Sequence, residues 1–200
     1  CLEATHVTAQ GRITPGCLGL WSDGHRDALA RIVAHLDTLG VVPAIQLAHA
    51  GRKASSARPW EGGAPLTPEQ GAWETIAPSP IPAVEGGPPP RAMTPDDIAA
   101  AVTAFADATR RARQAGFRIV EVHGAHGYLI DQFFWEGSNQ RSDEYGGDLV
   151  GRTRFACEIV AAIRERVGPD FPIIFRFSQW KQQDYNARLC NTPEELDAFL

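Results

Sequence analysis

Apolar residues along this 200-residue chain recur at two spacings, and the switch between them marks out the elements. Leu29, Ile32, Val33, Leu36 and Leu39 repeat every three or four positions and predict a helix from about His25 to Leu39. Ser22 or Asp23 is placed to cap it, and Gly40 to stop it. The run Val41 to Ala48 is apolar and partly β-branched, which predicts a buried strand, and Cys1 to Val7 reads as an earlier one. Nine prolines and many glycines between Arg52 and Met93 exclude a long regular element there. A loop of that length is uncommon unless it shapes a site. Thr94-Pro95-Asp96-Asp97 opens the next helix, with a capping hydroxyl, proline in the first turn and acids on the positive dipole end. Its apolar stripe is Ile98, Val102, Phe105 and Ala112, and Gly116 ends it. Phe117 to His123 is the next predicted strand, and a short helical piece follows at Tyr128–Trp135. A helix from about Arg152 to Val167 carries Phe155, Ile159, Val160 and Ile163. Phe171 to Ser178 predicts another buried strand, and Pro193 opens a last helix.

Short strands alternating with helices specify a parallel sheet with right-handed crossovers, which a doubly wound sheet and a barrel both satisfy. Neither G-x-G-x-x-G nor G-x-x-x-x-G-K-[ST] occurs, which removes support from the common nucleotide-binding folds. Gln46 and His49, then His123, then Arg176 stand instead at the C-terminal ends of successive predicted strands, where a (β/α)₈ barrel builds its site. The expected fold is therefore a partial TIM barrel of about four βα units, with residues 1–200 the central part of one domain. Both ends read as cut: the chain opens within a strand at Cys1 and closes within an amphipathic helix that lacks a Gly or Asn cap.

Composition narrows the partners. With 19 Lys and Arg against 24 Asp and Glu, the net charge of −5 argues against nucleic acid, which selects a basic face. No apolar stretch approaches the roughly 18 residues of a membrane span, and no signal segment opens the chain. Cys1, Cys17, Cys157 and Cys190 are too dispersed for a disulfide scaffold and suit a reducing, cytoplasmic setting. The expected partner is a small-molecule substrate; the oligomeric state stays open, a homo-oligomer included.

Chemistry concentrates between Glu121 and Phe134, where His123, His126 and Tyr128 leave a strand and enter a glycine-rich turn. A lone imidazole there reads first as a satisfied polar residue at a strand end, while the two together read equally as a zinc pair or as a pair of hydrogen-bond donors. No acid or cysteine follows at ligand spacing and H-E-x-x-H is absent, which counts against metal without deciding between the readings.

Four segments in order, Ile45-Gln46-Leu47-Ala48-His49-Ala50-Gly51-Arg52-Lys53, His123-Gly124-Ala125-His126-Gly127-Tyr128-Leu129, Ser138-Asn139-Gln140-Arg141-Ser142-Asp143-Glu144-Tyr145-Gly146-Gly147 and Phe175-Arg176-Phe177-Ser178, together resemble the old yellow enzyme family of FMN-dependent oxidoreductases. Glu3-Ala4-Thr5-His6-Val7-Thr8 and Ala77-Pro78-Ser79 also resemble it. The resemblance implies a TIM barrel with FMN at its C-terminal mouth, reduced by NADH or NADPH and reoxidised by an activated alkene. It implies that His123 and His126 bind the substrate's carbonyl oxygen and that Tyr128 protonates the neighbouring carbon. It implies that Arg176 lies beside the flavin's N1 and C2 oxygen, that Gln46 holds the pyrimidine edge and that Ala4 contacts the ring through its backbone. Asn139, Arg141, Asp143 and Tyr145 read as a structural lock.

His49, Arg52 and Lys53 read equally as substrate-facing or as a solvated loop, and Gly151 stands where the family more often has asparagine. The family's first strand and its phosphate-binding loops are expected outside this window, so the 200-residue piece alone is expected to be inactive. Relatives carrying an iron–sulfur cluster, which act on dienoyl thioesters or amines, and a His-based metal hydrolase on a similar barrel are the competing functions.

Overall fold

The computed structural model describes residues 1–200, and their backbone organises around a four-stranded sheet in which every pairing is parallel. In chain order the elements are β1 (Leu2–His6), α1 (Asp23–Thr38), β2 (Ala44–Ala48), the two-residue strands β3 (Ile76–Ala77) and β4 (Arg91–Ala92), α2 (Pro95–Gln114), β5 (Ile119–Gly124), α3 (Leu129–Phe134), α4 (Leu149–Val167), β6 (Ile173–Phe177), the hairpin strands β7 (Trp180–Lys181) and β8 (Asp184–Arg188), and α5 (Pro193–Phe199). The main sheet runs β1-β2-β5-β6. Because sequential strands are neighbours and all parallel, their C-terminal ends lie on one side, and polar residues 50 to 130 positions apart in sequence meet there.

Each helix starts where its capping chemistry dictates. The Ser22 hydroxyl accepts from the backbone of His25 at 3.3 Å. Thr94 and Asp97 form a reciprocal box at 3.2 and 2.8 Å, and Asp148 accepts from the Gly151 amide at 2.9 Å. The sheet has two unlike faces, as alternation along a strand requires. Ile45, Leu47, Val120 and Val122 are fully buried in one core with Ile98 and Phe105 of α2 and Phe155, Ile159 and Ile163 of α4. Gln46, Glu121, His123 and Arg176 occupy the alternate positions.

Several expectations are corrected. Strand pairing begins at Ala44 rather than Val41: the Val41 amide turns back to Leu36, and both Val41 and Val42 are exposed. Ile32 and Leu39 of α1 are also exposed, so Leu29 and Val33 carry its burial. Helix α4 opens three residues earlier than Arg152, because Asp148 provides the cap. Strand β6 is half open rather than buried, with Ile174 47% exposed, since it is the last strand of the sheet order. The antiparallel hairpin β7–β8 leaves no apolar alternation in the sequence, because its residues are mostly polar and exposed. The Pro/Gly-rich stretch holds only short 3₁₀ turns and the β3–β4 pair. No helix is long and apolar enough to cross a membrane.

Candidate active site

The register of the sheet assembles the site. Gln46 on β2 lies opposite Glu121 on β5, and His123 lies opposite Arg176 on β6. The Gln46 amide Nε2 donates to Glu121 Oε1, and the Arg176 guanidinium comes within 4.0 Å of the same oxygen. Glu121 thus joins two residues assigned separately from sequence. Its role was missed there, although a residue two positions before His123 on one strand had to share its face.

Beyond β5 the chain turns sharply. His126 adopts φ +60° and Gly127 φ +71°, two successive left-handed residues, of which only the glycine does so without a steric penalty. The turn brings the rings together: His123 lies 5.1 Å from His126 and 5.3 Å from Tyr128, centroid to centroid. Burial lowers the pKa of His123 to about 4, aided by the neighbouring His126 and Arg176, and lowers that of His126 as well. Both are therefore neutral imidazoles near pH 7. Burial raises the Tyr128 phenol, which keeps its proton. Buried His123 Nδ1 has no hydrogen-bond partner, an unusual condition for a polar atom in a core.

The β2 loop closes over this turn and is not a solvated segment, which corrects the alternative left open for it. His49 is buried and accepts from the Gly51 amide at 3.1 Å. Arg52 is buried and donates to the carbonyls of Ile81 and Pro82 at 3.3 and 3.2 Å. Lys53 donates to the carbonyl of His126 at 2.8 Å, and its ammonium stands 5.2 Å from the Tyr128 ring centre. Gly51 suits this turn: it has φ +58°, a left-handed conformation that strains other residues, and a Cβ there would fall 2.3 Å from the side-chain amide oxygen of Gln132. The Asn139–Tyr145 segment does form a lock. Asn139 donates to the carbonyls of Phe133 and Tyr145 at 2.8 and 2.7 Å, Arg141 grips Asp143, and Tyr145 meets Glu158 at 3.1 Å.

A cleft of about 1320 Å³ opens beside the turn, walled by Ala4, His6, Cys17, Lys53, Trp73 and Tyr128 among others. Of the assigned residues, Ala4 and Tyr128 line it, while Gln46, His123 and Arg176 on the sheet and His126 in the turn lie outside its wall. No group of three or more His, Cys, Asp or Glu side chains converges as metal ligands would.

A family model described as the NADH:flavin oxidoreductase / NADH oxidase family matches residues 1–196. The chain belongs to this family, the old yellow enzymes. Among family members, it is 43% identical over 192 residues to NADH:flavin oxidoreductase FG08077 of Gibberella zeae, covering 94% of this chain and 46% of that protein. It is 45% identical over 177 residues to an NADPH dehydrogenase of Geobacillus sp., covering 88% and 47%. Morphinone reductase in complex with tetrahydroNAD superposes with a TM-score of 0.76 at 31% identity, over 88% of this chain and 50% of that one. A 2-naphthoyl-CoA reductase superposes at 0.74 with 30% identity, over 87% and 26%. The chain spans about half the length of the curated relatives it matches. As an old yellow enzyme chain, it shares with its structural neighbours the parallel α/β sheet of a TIM barrel and covers about half of morphinone reductase.

Proposed function

We propose that this chain is the central portion, about four βα units, of an FMN-dependent TIM-barrel enzyme that uses NADH or NADPH to reduce the C=C bond of α,β-unsaturated carbonyl compounds. The carrying observation is the meeting of His123, His126 and Tyr128 at one strand end, beside the face that bears Gln46 and Arg176. The donor set fits a flavin ring: the Gln46 amide offers donor and acceptor to a pyrimidine edge, and the Arg176 side chain, 52% exposed, supplies a permanent cation. Ala4 lies on the wall of the adjoining cleft. When bound, FMN supplies a two-electron carrier between nicotinamide and alkene.

The chain's own residues then act on the substrate. His123 and His126, neutral near pH 7, donate hydrogen bonds to the carbonyl oxygen, where negative charge builds as the alkene is reduced. Neutral donors suit this role because they stabilise charge without giving up the proton. Tyr128, whose phenol stays protonated, supplies the proton that the neighbouring carbon takes up.

Stopped-flow kinetics on the full-length enzyme tests this. Tyr128→Phe is expected to leave flavin reduction by the nicotinamide intact and to slow reoxidation by the alkene. His123→Ala is expected to slow that second half-reaction by on the order of 10²–10³. Equal slowing of both halves by Tyr128→Phe, or loss of activity with a chelator, would return the histidines to a metal-binding reading.

A further inference from the structure

Asp131 and Lys181 form an ion pair whose side chains are each 1% exposed, and neither belongs to the constellation described above. Burying two charges is costly, and such a pair persists where its groups are also used for other bonds. The second oxygen of Asp131 is used in this way: Oδ2 accepts from the Gly127 amide at 2.7 Å. Gly127 follows His126, and the pair of left-handed residues turns that amide inward, toward α3. The flanking groups are held in the same manner. The His126 amide donates to Ser178 Oγ at 3.0 Å, and Lys53 Nζ donates to the His126 carbonyl at 2.8 Å. The main-chain polar groups on both sides of the His126 imidazole are thus held by side chains from three separate segments. The left-handed conformation of a histidine, unfavourable on its own, is imposed from outside.

Lys181 is the last residue of β7, and the residue that follows it in the hairpin, Gln182, accepts from Lys53 at 3.2 Å. A Cβ at Gly127 would stand 3.0 Å from the Gln183 amide. The hairpin therefore rests on the same turn that its buried lysine supports.

We propose that Asp131 and Lys181 are positioning residues that set the His126 imidazole by clamping the 126–127 turn to the β7–β8 hairpin. The proposal builds on the donor role given to His126 above. Lys181 neutralises Asp131, and Asp131 fixes the Gly127 amide; the charge makes burial tolerable and the oxygen sets the geometry.

Two double variants of the full-length holoenzyme separate geometry from charge, because neither leaves a buried charge unpaired. Asp131→Asn with Lys181→Met retains an acceptor for Gly127, whereas Asp131→Ala with Lys181→Met does not. The readouts are the imidazole cross-peak of His126 in labelled protein and the dissociation constant of 4-hydroxybenzaldehyde. The Asn variant is expected to keep both within twofold or unshifted. The Ala variant is expected to move the cross-peak and weaken binding at least tenfold at similar thermal stability. Identical behaviour of the two doubles, whether both normal or both impaired, overturns the proposal. Should the Ala variant fail to fold, Asp131→Leu with Lys181→Met, which keeps the side-chain volume but offers Gly127 no acceptor, takes its place, and an unmoved His126 cross-peak there overturns the proposal equally. If His126→Ala leaves the affinity for 4-hydroxybenzaldehyde unchanged, the donor role fails, while the His126 cross-peak in the two doubles still decides the positioning.

Discussion

Burial holds His123 at a pKa of about 4 and His49 at about 3, because an imidazolium in either place would lose its water. In the unfolded chain both take up protons near pH 6.5. Between pH 6.5 and these depressed values the unfolded state binds more protons, so folding stability is complete above pH 6.5 and falls as the solution is acidified. From pH 7 to pH 5 each histidine is expected to cost about 2 kcal/mol. Urea unfolding at the two pH values measures the sum, and His49→Gln should shrink the difference; a flat profile would mean that these imidazoles are hydrated. Arg176 behaves oppositely, as a permanent cation half in solvent that meets Glu121 only at 4.0 Å. Arg176→Ala in the full-length enzyme is expected to leave the melting temperature of the flavin-free protein unchanged and to raise the FMN dissociation constant by about 10- to 100-fold, the equivalent of one charge-assisted hydrogen bond of about 1.5–3 kcal/mol. Flavin fluorescence titration reads it directly.

Among the elements, α2 and α4 lie against each other and cover the sheet, so their starts matter more than those of peripheral helices. Thr94→Ala removes half of the capping box of α2 and is expected to cost about 1 kcal/mol, seen as a lower urea midpoint with an unchanged slope. The start of α4 carries a less obvious constraint. Asp148 already caps the helix, and a Cβ at Gly151 would fall 2.1 Å from the carbonyl oxygen of Gly146. Gly151→Asn is therefore expected to destabilise, by about 1–3 kcal/mol of forced backbone movement, rather than to improve the cap. A raised melting temperature for this variant would show that the Gly146 turn yields freely.

Across the whole molecule, Arg141 joins parts of the chain that no single element connects. Its guanidinium pairs with Asp143 and donates to the carbonyls of Pro78 and Met93 at 3.1 and 2.6 Å, tying both ends of the β3–β4 region to the loop after α3. The side chain is only 10% exposed, so lysine, which lacks the planar fork, cannot satisfy the same carbonyls. Arg141→Lys is expected to cost about 1.5–3 kcal/mol and to raise hydrogen exchange in the 76–93 stretch before the rest of the chain. Uniform exchange would place the arginine outside that coupling.

The sequence by itself determined what is local. Helix stripes, capping residues and the proline-rich interruption followed from spacings of a few residues, because backbone sterics and side-chain hydrogen bonds act at that range. The order of strands and helices was enough for a parallel sheet, and with it the meeting of Gln46, His123 and Arg176 at one end. The roles of the individual residues came from family motifs instead, since two histidines three apart serve a metal, a donor pair or a core equally well. Tertiary structure alone decided that Glu121 stands between Gln46 and Arg176, and that Arg52 and Lys53 turn inward rather than into solvent. It alone decided that Asp131 finds Lys181 fifty residues later. Those partners are joined by crossovers whose lengths carry no record of register, so which charge faces which emerges only when the strands pair and the helices pack.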